Sequence, residues 1–140
     1  MIVLITGGAG YIGTELVASL TILPAVDKII IYDNLSRANY NLFIGSNLNS
    51  HKISFINGDI LDSRKLKQAL AGVDIVFHFA AKVTTPFANT DAHIYEQVNH
   101  WGTAELTYVL EESAVKKFIF LSSAAVYGHT VSAANDHTTP

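Results

Sequence analysis

Five short apolar segments recur along the 140-residue chain, and a stretch with helical periodicity separates each from the next. They cover residues 2–6, 28–33, 53–57, 74–80 and 117–122, and most are apolar at nearly every position. A strand that is apolar on both faces is typical of a parallel sheet covered by helices. The order β-α-β-α-β-α-β-α-β therefore predicts an α/β domain with a doubly wound parallel sheet.

The stretches between these strands predict three main helices. The first covers about residues 11–24 and is stopped by a proline, and the second covers residues 61–70 and ends before Gly72. The third begins at Thr90 or Asp91 and continues to about residue 113. Residues 35–52 are rich in Asn and Ser and predict a loop around a short helix.

The third predicted helix has two apolar stripes. The first stripe consists of Ile94, Val98, Leu106 and Leu110, and the second of Tyr95, Trp101 and Tyr108. One stripe should face the sheet. The aromatic stripe either widens this core face or contacts a partner helix, as in a homodimer.

Composition and charge favour a small-molecule partner. The sequence has nine Lys and Arg against 12 Asp and Glu, which gives a net charge of -3. This charge excludes the basic surface expected of a protein that binds nucleic acid or an anionic membrane. Although 49% of the residues are apolar, no run is long enough for a membrane span. The chain has no cysteine and no leader, which predicts a cytoplasmic protein. Its six histidines lack ligand spacing, so we expect no metal site.

A glycine-rich segment joins the first predicted strand to the first helix. Residues 7–13 read GGAGYIG, which contains G-x-G-x-x-G and also fits G-x-x-G-x-x-G. The strand ends at Thr6, the helix opens at about Tyr11, and Asp33 follows Gly13 by 20 residues at the end of the next strand. This context indicates a dinucleotide-binding turn.

The glycines of this turn have different predicted structural roles. A diphosphate would approach the N-terminus of the helix, where unpaired N–H groups and the helix dipole attract it, and a Cβ at Gly10 would hold it away. Gly7 or Gly8 would permit a turn with positive φ, and Gly13 would let the helix lie against the strand. The alternative is a glycine-rich turn without a ligand.

Asp33 bears on the choice of dinucleotide. Its carboxylate would accept hydrogen bonds from the adenosine ribose and would repel the additional phosphate of NADP, which favours NAD. Arg37 is close in sequence and favours the opposite choice, because an arginine in this loop can accommodate that phosphate. A further alternative is a plain aspartate in a turn at the end of a strand.

Six segments in chain order extend this pattern. They are TGGAGYIG at residues 6–13, DNLS at 33–36, GDI at 58–60, HFAA at 78–81, NHWGT at 99–103 and SSAAVYG at 122–128. Together they resemble motifs of the extended short-chain dehydrogenase/reductase superfamily, and within it the NAD-dependent epimerase/dehydratase family that acts on nucleotide sugars. The resemblance covers the whole chain and implies a Rossmann fold.

The resemblance implies a set of cofactor-binding residues. They are Gly7, Gly10, Tyr11, Ile12, Gly13, Asp33, Asn34, Ser36, Asp59, Ile60, Phe79, Ala80, Ala81, Lys82 and Asn99. Asp59 would contact the adenine, or would instead cap or begin the following helix. Asn99 lies within a helix, where a buried amide needs partners, so a structural role is the stronger expectation. The spacing of Lys82 from Ala80 differs from the relatives, which weakens its assignment to the nicotinamide ribose.

Ser123 is the catalytic residue that the resemblance implies, because the family's serine or threonine at this position bonds the sugar oxygen at the reacting carbon. The alternative is a serine bonded to its own loop. The reaction would be a transient oxidation of a nucleotide sugar by NAD, followed by epimerisation or loss of water.

The family's catalytic base belongs to a Tyr-x-x-x-Lys pair, and no tyrosine in the 140 residues has a lysine four positions later. We therefore expect residues 1–140 to be an incomplete Rossmann domain, truncated after the fifth strand and inactive alone. Two other functions stay open: an NADP-dependent reductase of the same superfamily, and a non-catalytic dinucleotide-binding module.

Overall fold

The computed structural model describes residues 1–44, 51–83 and 91–128, together with residues 133, 135 and 137. The five strands are β1 Ile2–Thr6, β2 Lys28–Asp33, β3 Ile53–Asn57, β4 Ile75–His78 and β5 Lys117–Phe120. All neighbouring strands pair in parallel, in the order β3-β2-β1-β4-β5. The predicted doubly wound parallel sheet is thus confirmed.

The first three strands have the predicted bounds, whereas β4 and β5 are shorter than residues 74–80 and 117–122. The chain leaves the ladder early at both places. Phe79 N still donates to Thr6 O at 2.9 Å, but the backbone beyond it turns into a loop. Apolar composition continues into these loops because they line a cleft, so it overestimates the strand length.

The helices are α1 Tyr11–Thr21, α2 Asn41–Ile44, α3 Ser63–Ala69, α4 Ala92–Tyr95 and α5 Gly102–Glu111. A π-helical segment, Glu96–Trp101, joins α4 to α5, so residues 92–111 form one long helix. Residues 124–127 form a short 3₁₀-helix. The short helix predicted within residues 35–52 is α2, and residues 45–50 of that region lie outside the described residues, as does Thr90.

Helix α3 begins later than residue 61 because Asp62 caps it. The Asp62 carboxylate accepts a hydrogen bond from Lys65 N at 3.0 Å, which satisfies one of the free amides of the first turn. The region ends at Gly72, whose φ of 75° lies in the left-handed range. The predicted stop is therefore confirmed.

The core has two layers, one on each face of the sheet. Side chains alternate along each strand, so Leu4 faces one layer while Val3 and Ile5 face the other. The first layer also contains Ile30, Val76, Leu66 and Leu106, and the second also contains Ile29, Ile31, Val17 and Leu20. At the edge of the sheet, β5 differs: Phe118 is 37% exposed and Phe120 is 51% exposed.

The two stripes of the long helix behave differently. Leu106 is buried, and Val98 and Leu110 pack against the same core layer. Trp101 is 54% exposed and Tyr108 is 63% exposed, so the interpretation that the aromatic stripe widens the core face is wrong for these two residues.

Gly102 sits where the long helix approaches the loop after β3. A Cβ at this position would lie 2.5 Å from Ile60 Cγ2, and Ile60 is itself buried. The glycine therefore sets how closely the long helix can approach this loop.

We expect Gly102→Ala to destabilise the protein by about 1–3 kcal/mol through overpacking. Helix propensity alone would give the opposite sign, a gain of about 1 kcal/mol. Urea denaturation of Gly102→Ala, Ile60→Ala and the double variant measures both effects. Because Ile60→Ala removes the group that the added methyl would meet, the double variant should lose less stability than the sum of the two single variants. Additive losses, or a Gly102→Ala variant more stable than wild type, would contradict the contact.

Candidate functional site: a cleft at the carboxyl ends of the strands

A cleft of about 840 Å³ lies at the carboxyl ends of the strands. Strand order reverses direction between β1 and β4, and open α/β sheets bind ligands at such a point. The cleft is lined by these residues predicted from sequence: Gly7, Gly10, Tyr11, Ile12, Gly13, Asp33, Asn34, Ser36, Ile60, Phe79, Ala80, Ala81, Lys82, Asn99 and Ser123. Asp59 is not among the lining residues.

The turn between β1 and α1 brings three glycines to the floor of this cleft. Gly7 has a φ of 70°, and a Cβ there would lie 2.5 Å from Ala80 N. A Cβ on Gly13 would lie 2.6 Å from Gly8 Cα. Gly13 therefore lets α1 pack closely against the turn, whereas the sequence predicted close packing against the strand. Packing alone requires glycine at both positions.

Gly10 differs from the other two glycines. Within 4 Å, a Cβ on it would meet a single described atom, Gly7 O at 3.1 Å, and the rest of its surroundings is open cleft. Gly10 is also the N-cap of α1, and it has no side chain that could accept a hydrogen bond from the first amides of the helix. The first amides of an uncapped helix attract an anion.

Ala9 is held on both of its backbone polar atoms by the loop after β2. Ala9 N donates to Asp33 Oδ2 at 3.0 Å, and Asn39 Nδ2 donates to Ala9 O at 2.8 Å. The other Asp33 oxygen accepts from Leu35 N at 2.8 Å. We call this arrangement the Ala9 clamp; it fixes the glycine turn to the loop of β2 and orients the Asp33 carboxylate.

Strain accompanies this clamp. Leu35 has a φ of 56° and Ala38 a φ of 50°, both in the left-handed region that residues with a Cβ seldom adopt. Such conformations persist where surrounding contacts enforce them, and they cluster at binding sites. Asn39 was not predicted as a site residue, because nothing distinguishes it from the neighbouring asparagines of the loop except its three-dimensional place.

Asp59 lies just outside the cleft and organises its rim. Its carboxylate accepts from Asn34 Nδ2 at 2.9 Å and from Leu61 N at 3.0 Å, and its carbonyl accepts from the Tyr32 hydroxyl at 2.8 Å. The alternative that Asp59 caps the next helix is wrong, since Asp62 does so. Burial, followed by the charges of Asp62 and Asp59, raises the pKa of Tyr32 to about 12, so this phenol stays protonated as a donor.

The opposite wall of the cleft is the loop after β4. The Asn99 amide makes two hydrogen bonds with the Lys82 backbone, accepting from Lys82 N at 2.8 Å and donating to Lys82 O at 2.9 Å. Asn99 is exposed and not buried as expected, but its structural role is supported by these bonds. Lys82 Nζ lies 3.4 Å from Ser36 Oγ, which brings side chains from the two sides of the cleft together.

His78 is almost fully buried, at the back of the cleft lining. Its Nδ1 lies 2.6 Å from Thr6 Oγ1, and its Nε2 lies 2.9 Å from Thr103 Oγ1. Burial lowers the pKa of His78 from 6.5 to about 4, so the imidazole is neutral at physiological pH. The sequence identified His78 as part of a motif but gave it no role.

Ser123 lies in the loop after β5, is exposed, and lines the cleft together with Ser122. Its carbonyl accepts from Val126 N at 3.2 Å in the 3₁₀ turn. Tyr127 is half-buried and does not line the cleft. Among the residues that the structure describes, no three His, Asp or Glu side chains are grouped to hold a metal ion.

The fold and the cleft define a Rossmann-type dinucleotide-binding domain. A model of the NAD dependent epimerase/dehydratase family matches residues 3–140. The chain belongs to this family, which confirms the resemblance seen in the sequence. No helix in the described ranges is both long and apolar enough to span a bilayer.

Individual relatives agree with the family assignment. The chain is 37% identical over 145 residues to the dTDP-D-glucose 4,6-dehydratase of Mus musculus, covering 99% of this chain and 39% of that protein. It is 36% identical over 143 residues to the UDP-glucose 4-epimerase of Erwinia amylovora, covering 100% of this chain and 42% of that protein. The chain thus spans about two fifths of the length of these relatives.

A solved relative has the same fold. The UDP-glucuronic acid 4-epimerase of Bacillus cereus, in complex with UDP-glucuronic acid and NAD, superposes with a TM-score of 0.90 at 26% identity. The match covers 100% of this chain and 46% of that one.

The lowered pKa of His78 makes a prediction about stability. The folded imidazole resists protonation down to about pH 4, whereas the unfolded one takes up a proton near pH 6.5. Acid therefore favours the unfolded state, and stability falls by up to about 1.4 kcal/mol per pH unit across this window. The stability gap, meaning the free energy of unfolding of wild type minus that of His78→Gln, should fall by about 2 kcal/mol from pH 7 to pH 5.

Urea denaturation of both proteins at several pH values measures this gap. The other histidines are common to both proteins, so their contributions cancel. The hydrogen-bond and ring partners of the imidazole in the described chain are Thr6, Thr103, Phe118 and Phe120, and none of these side chains titrates. A gap that does not change with pH would contradict a buried neutral imidazole.

Proposed function

We propose that this chain is the NAD-binding part of a nucleotide-sugar epimerase or dehydratase. The observation that carries the proposal is the Ala9 clamp beside the uncapped start of α1. It places an oriented carboxylate and a set of free amides in one cleft. Membership of the family and the NAD named in the Bacillus cereus complex support it.

The residues present fit a dinucleotide. The diphosphate would lie at the start of α1, where Gly10 leaves open space and the amides and helix dipole favour negative charge. Asp33 would accept hydrogen bonds from the adenosine ribose. Each of its oxygens already accepts one backbone N–H and has capacity for another donor.

Selectivity for NAD follows from the same carboxylate. Because two backbone amides fix its position, Asp33 cannot easily swing away from an additional ribose phosphate, and the two negative charges would repel. Arg37 also lines the cleft and is the feature that favours the alternative, an NADP-dependent reductase.

The chemistry requires a second set of residues. When bound, NAD supplies a reversible acceptor for hydride from the sugar carbon. Ser123 lines the half of the cleft between β1 and β5 and would hold the sugar oxygen at the reacting carbon. A base must remove the proton of that hydroxyl, and the Tyr-x-x-x-Lys pair expected to do so is not among the 140 residues.

In this proposal, residues 1–140 form the cofactor-binding part of a longer protein, and the reaction on the sugar belongs to that longer protein. Alone, the chain would act as a dinucleotide-binding module without catalysis. A cytoplasmic location stays a prediction.

We expect Asp33→Ala to weaken NAD binding by about 10- to 100-fold, since it removes a charged acceptor and one half of the Ala9 clamp. Discrimination against NADP should also fall. Isothermal titration with NAD and with NADP measures both. Asp27→Ala is the matched control, because that exposed carboxylate pairs with the amino terminus away from the cleft. Unchanged affinity together with unchanged preference would remove the basis for this site.

A homodimer through the long helix is a further part of the proposal. Trp101 and Tyr108 are exposed on this helix, and large aromatic side chains are common anchors of interfaces. In a two-fold homodimer, each long helix would present the same two aromatic residues to its partner.

We expect the Trp101→Ser/Tyr108→Ser double variant to weaken self-association at least about tenfold, the effect of losing one anchor. Sedimentation velocity over a concentration series measures it. Tyr11→Ser is the control, because Tyr11 is 78% exposed but lines the cleft. Equal dissociation constants for the double variant and wild type would exclude this surface.

A further inference from the structure

The role of His78 is not explained by the proposed function. It is 2% exposed, lies at the back of the cleft lining, and buries two polar ring nitrogens against the hydroxyls of Thr6 and Thr103. An apolar residue of similar size would avoid the cost of burying them. The free-energy cost of burying this side chain therefore indicates that its hydrogen bonds have a role at the cleft.

The direction of the protons around His78 follows from one bond. The Thr103 hydroxyl has a single proton and donates it to Asn99 O at 2.7 Å. Towards His78, Thr103 Oγ1 can then act as an acceptor alone, so His78 Nε2 carries the proton and donates across 2.9 Å. In the neutral ring Nδ1 is consequently an acceptor, and the Thr6 hydroxyl donates to it across 2.6 Å.

The chain of bonds continues to the backbone of the cleft wall. Thr6 Oγ1 accepts from Ala80 N at 3.4 Å, while Thr103 ends the chain at Asn99 O. The Asn99 side chain in turn holds both backbone polar atoms of Lys82. Both ends of residues 80–82 are thus fastened, one through Thr6 and the other through Asn99.

His78 is the link between these two anchors. Thr6 belongs to β1, whereas Thr103 and Asn99 belong to the long helix on the other side of the wall. Asn99 also lies in the π-helical segment, a rare geometry that is frequent at functional sites. The rings of Phe118 and Phe120 lie 6.2 and 5.6 Å from the imidazole and shield it from water on the β5 side.

We propose that His78 is a positioning residue: as a neutral imidazole protonated on Nε2, it holds residues 80–82 in place and thereby shapes the half of the cleft between β1 and β5. This inference rests on the proposed function. The half of the cleft near Asp33 is fixed separately by the Ala9 clamp. His78 should therefore affect the nicotinamide half of NAD and not the ADP half.

The test compares NAD with ADP as probes, by isothermal titration. His78→Phe keeps the ring and removes both hydrogen bonds, so we expect NAD affinity to fall about tenfold or more while ADP affinity changes less than about twofold. His78→Asn places an amide group near Nδ1 and can bond Thr6 alone, whereas His78→Gln places one near Nε2 and can bond Thr103 alone. Each should recover part of the lost NAD affinity.

Thr103 supplies a second, independent pair of variants. Thr103→Ser keeps the hydroxyl and should retain the NAD affinity, while Thr103→Val leaves the imidazole donor unpaired and should lower it about as much as His78→Phe. The control for general destabilisation is Val109→Ala, which creates a cavity in the first core layer and removes no hydrogen bond. It should leave the ratio of NAD to ADP affinity unchanged.

The outcomes separate the two proposals. A wild-type protein that binds neither NAD nor ADP overturns the proposed function. A wild-type protein that binds both, combined with variants of His78 and Thr103 that weaken the two ligands equally or not at all, overturns the positioning role alone. Should His78→Phe fail to fold, the contrast between Thr103→Ser and Thr103→Val decides the question.

Discussion

The backbone of Gly7 lies directly against the backbone of Phe79 and Ala80, so closely that even a methyl group would not fit between them. This contact joins the turn after β1 to the loop after β4, the two segments between which strand order reverses. The two sides of the cleft meet at this contact. The free start of α1 follows from the turn on one side, and residues 80–82 follow from the loop on the other.

Two separate sets of polar side chains hold the turn after β1 and the loop after β4. On the side of β2, Asp33 and Asn39 bond both polar atoms of Ala9. On the side of β4, Thr6, His78 and Thr103 connect the strand to the long helix. These side chains can meet because parallel strands all present their carboxyl ends at one edge of the sheet. The hydrophobic layers supply stability, whereas the polar contacts at this edge determine the shape of the cleft.

The sequence predicted the parts of this arrangement that depend on local pattern. Apolar runs gave the bounds of β1, β2 and β3 without error, and the glycine spacing together with Asp33 located the cleft. Contacts between residues that are distant in the chain leave no local pattern in the sequence from which they could be predicted. Asn39 resembles its neighbours in an Asn-rich loop, and His78 in an apolar segment does not reveal that Thr6 and Thr103 flank it. Asn99 was expected to be buried because helical periodicity assumes a regular α-helix, and the π-helical segment changes the rotation of the side chains around it.

In the proposed function, the distribution of these contacts would separate cofactor binding from the reaction on the sugar. The hydrogen bonds of the Ala9 clamp and of the wall around His78 join residues between Thr6 and Thr103. Ser123, by contrast, lies on the loop after β5, the edge strand whose Phe118 and Phe120 are partly exposed. The residues that would bind a dinucleotide therefore lie earlier in the chain than Ser123, which would contact the sugar. Under the proposed function, cofactor binding would depend on contacts within this domain, while catalysis would also require a base that approaches the far side of the same cleft.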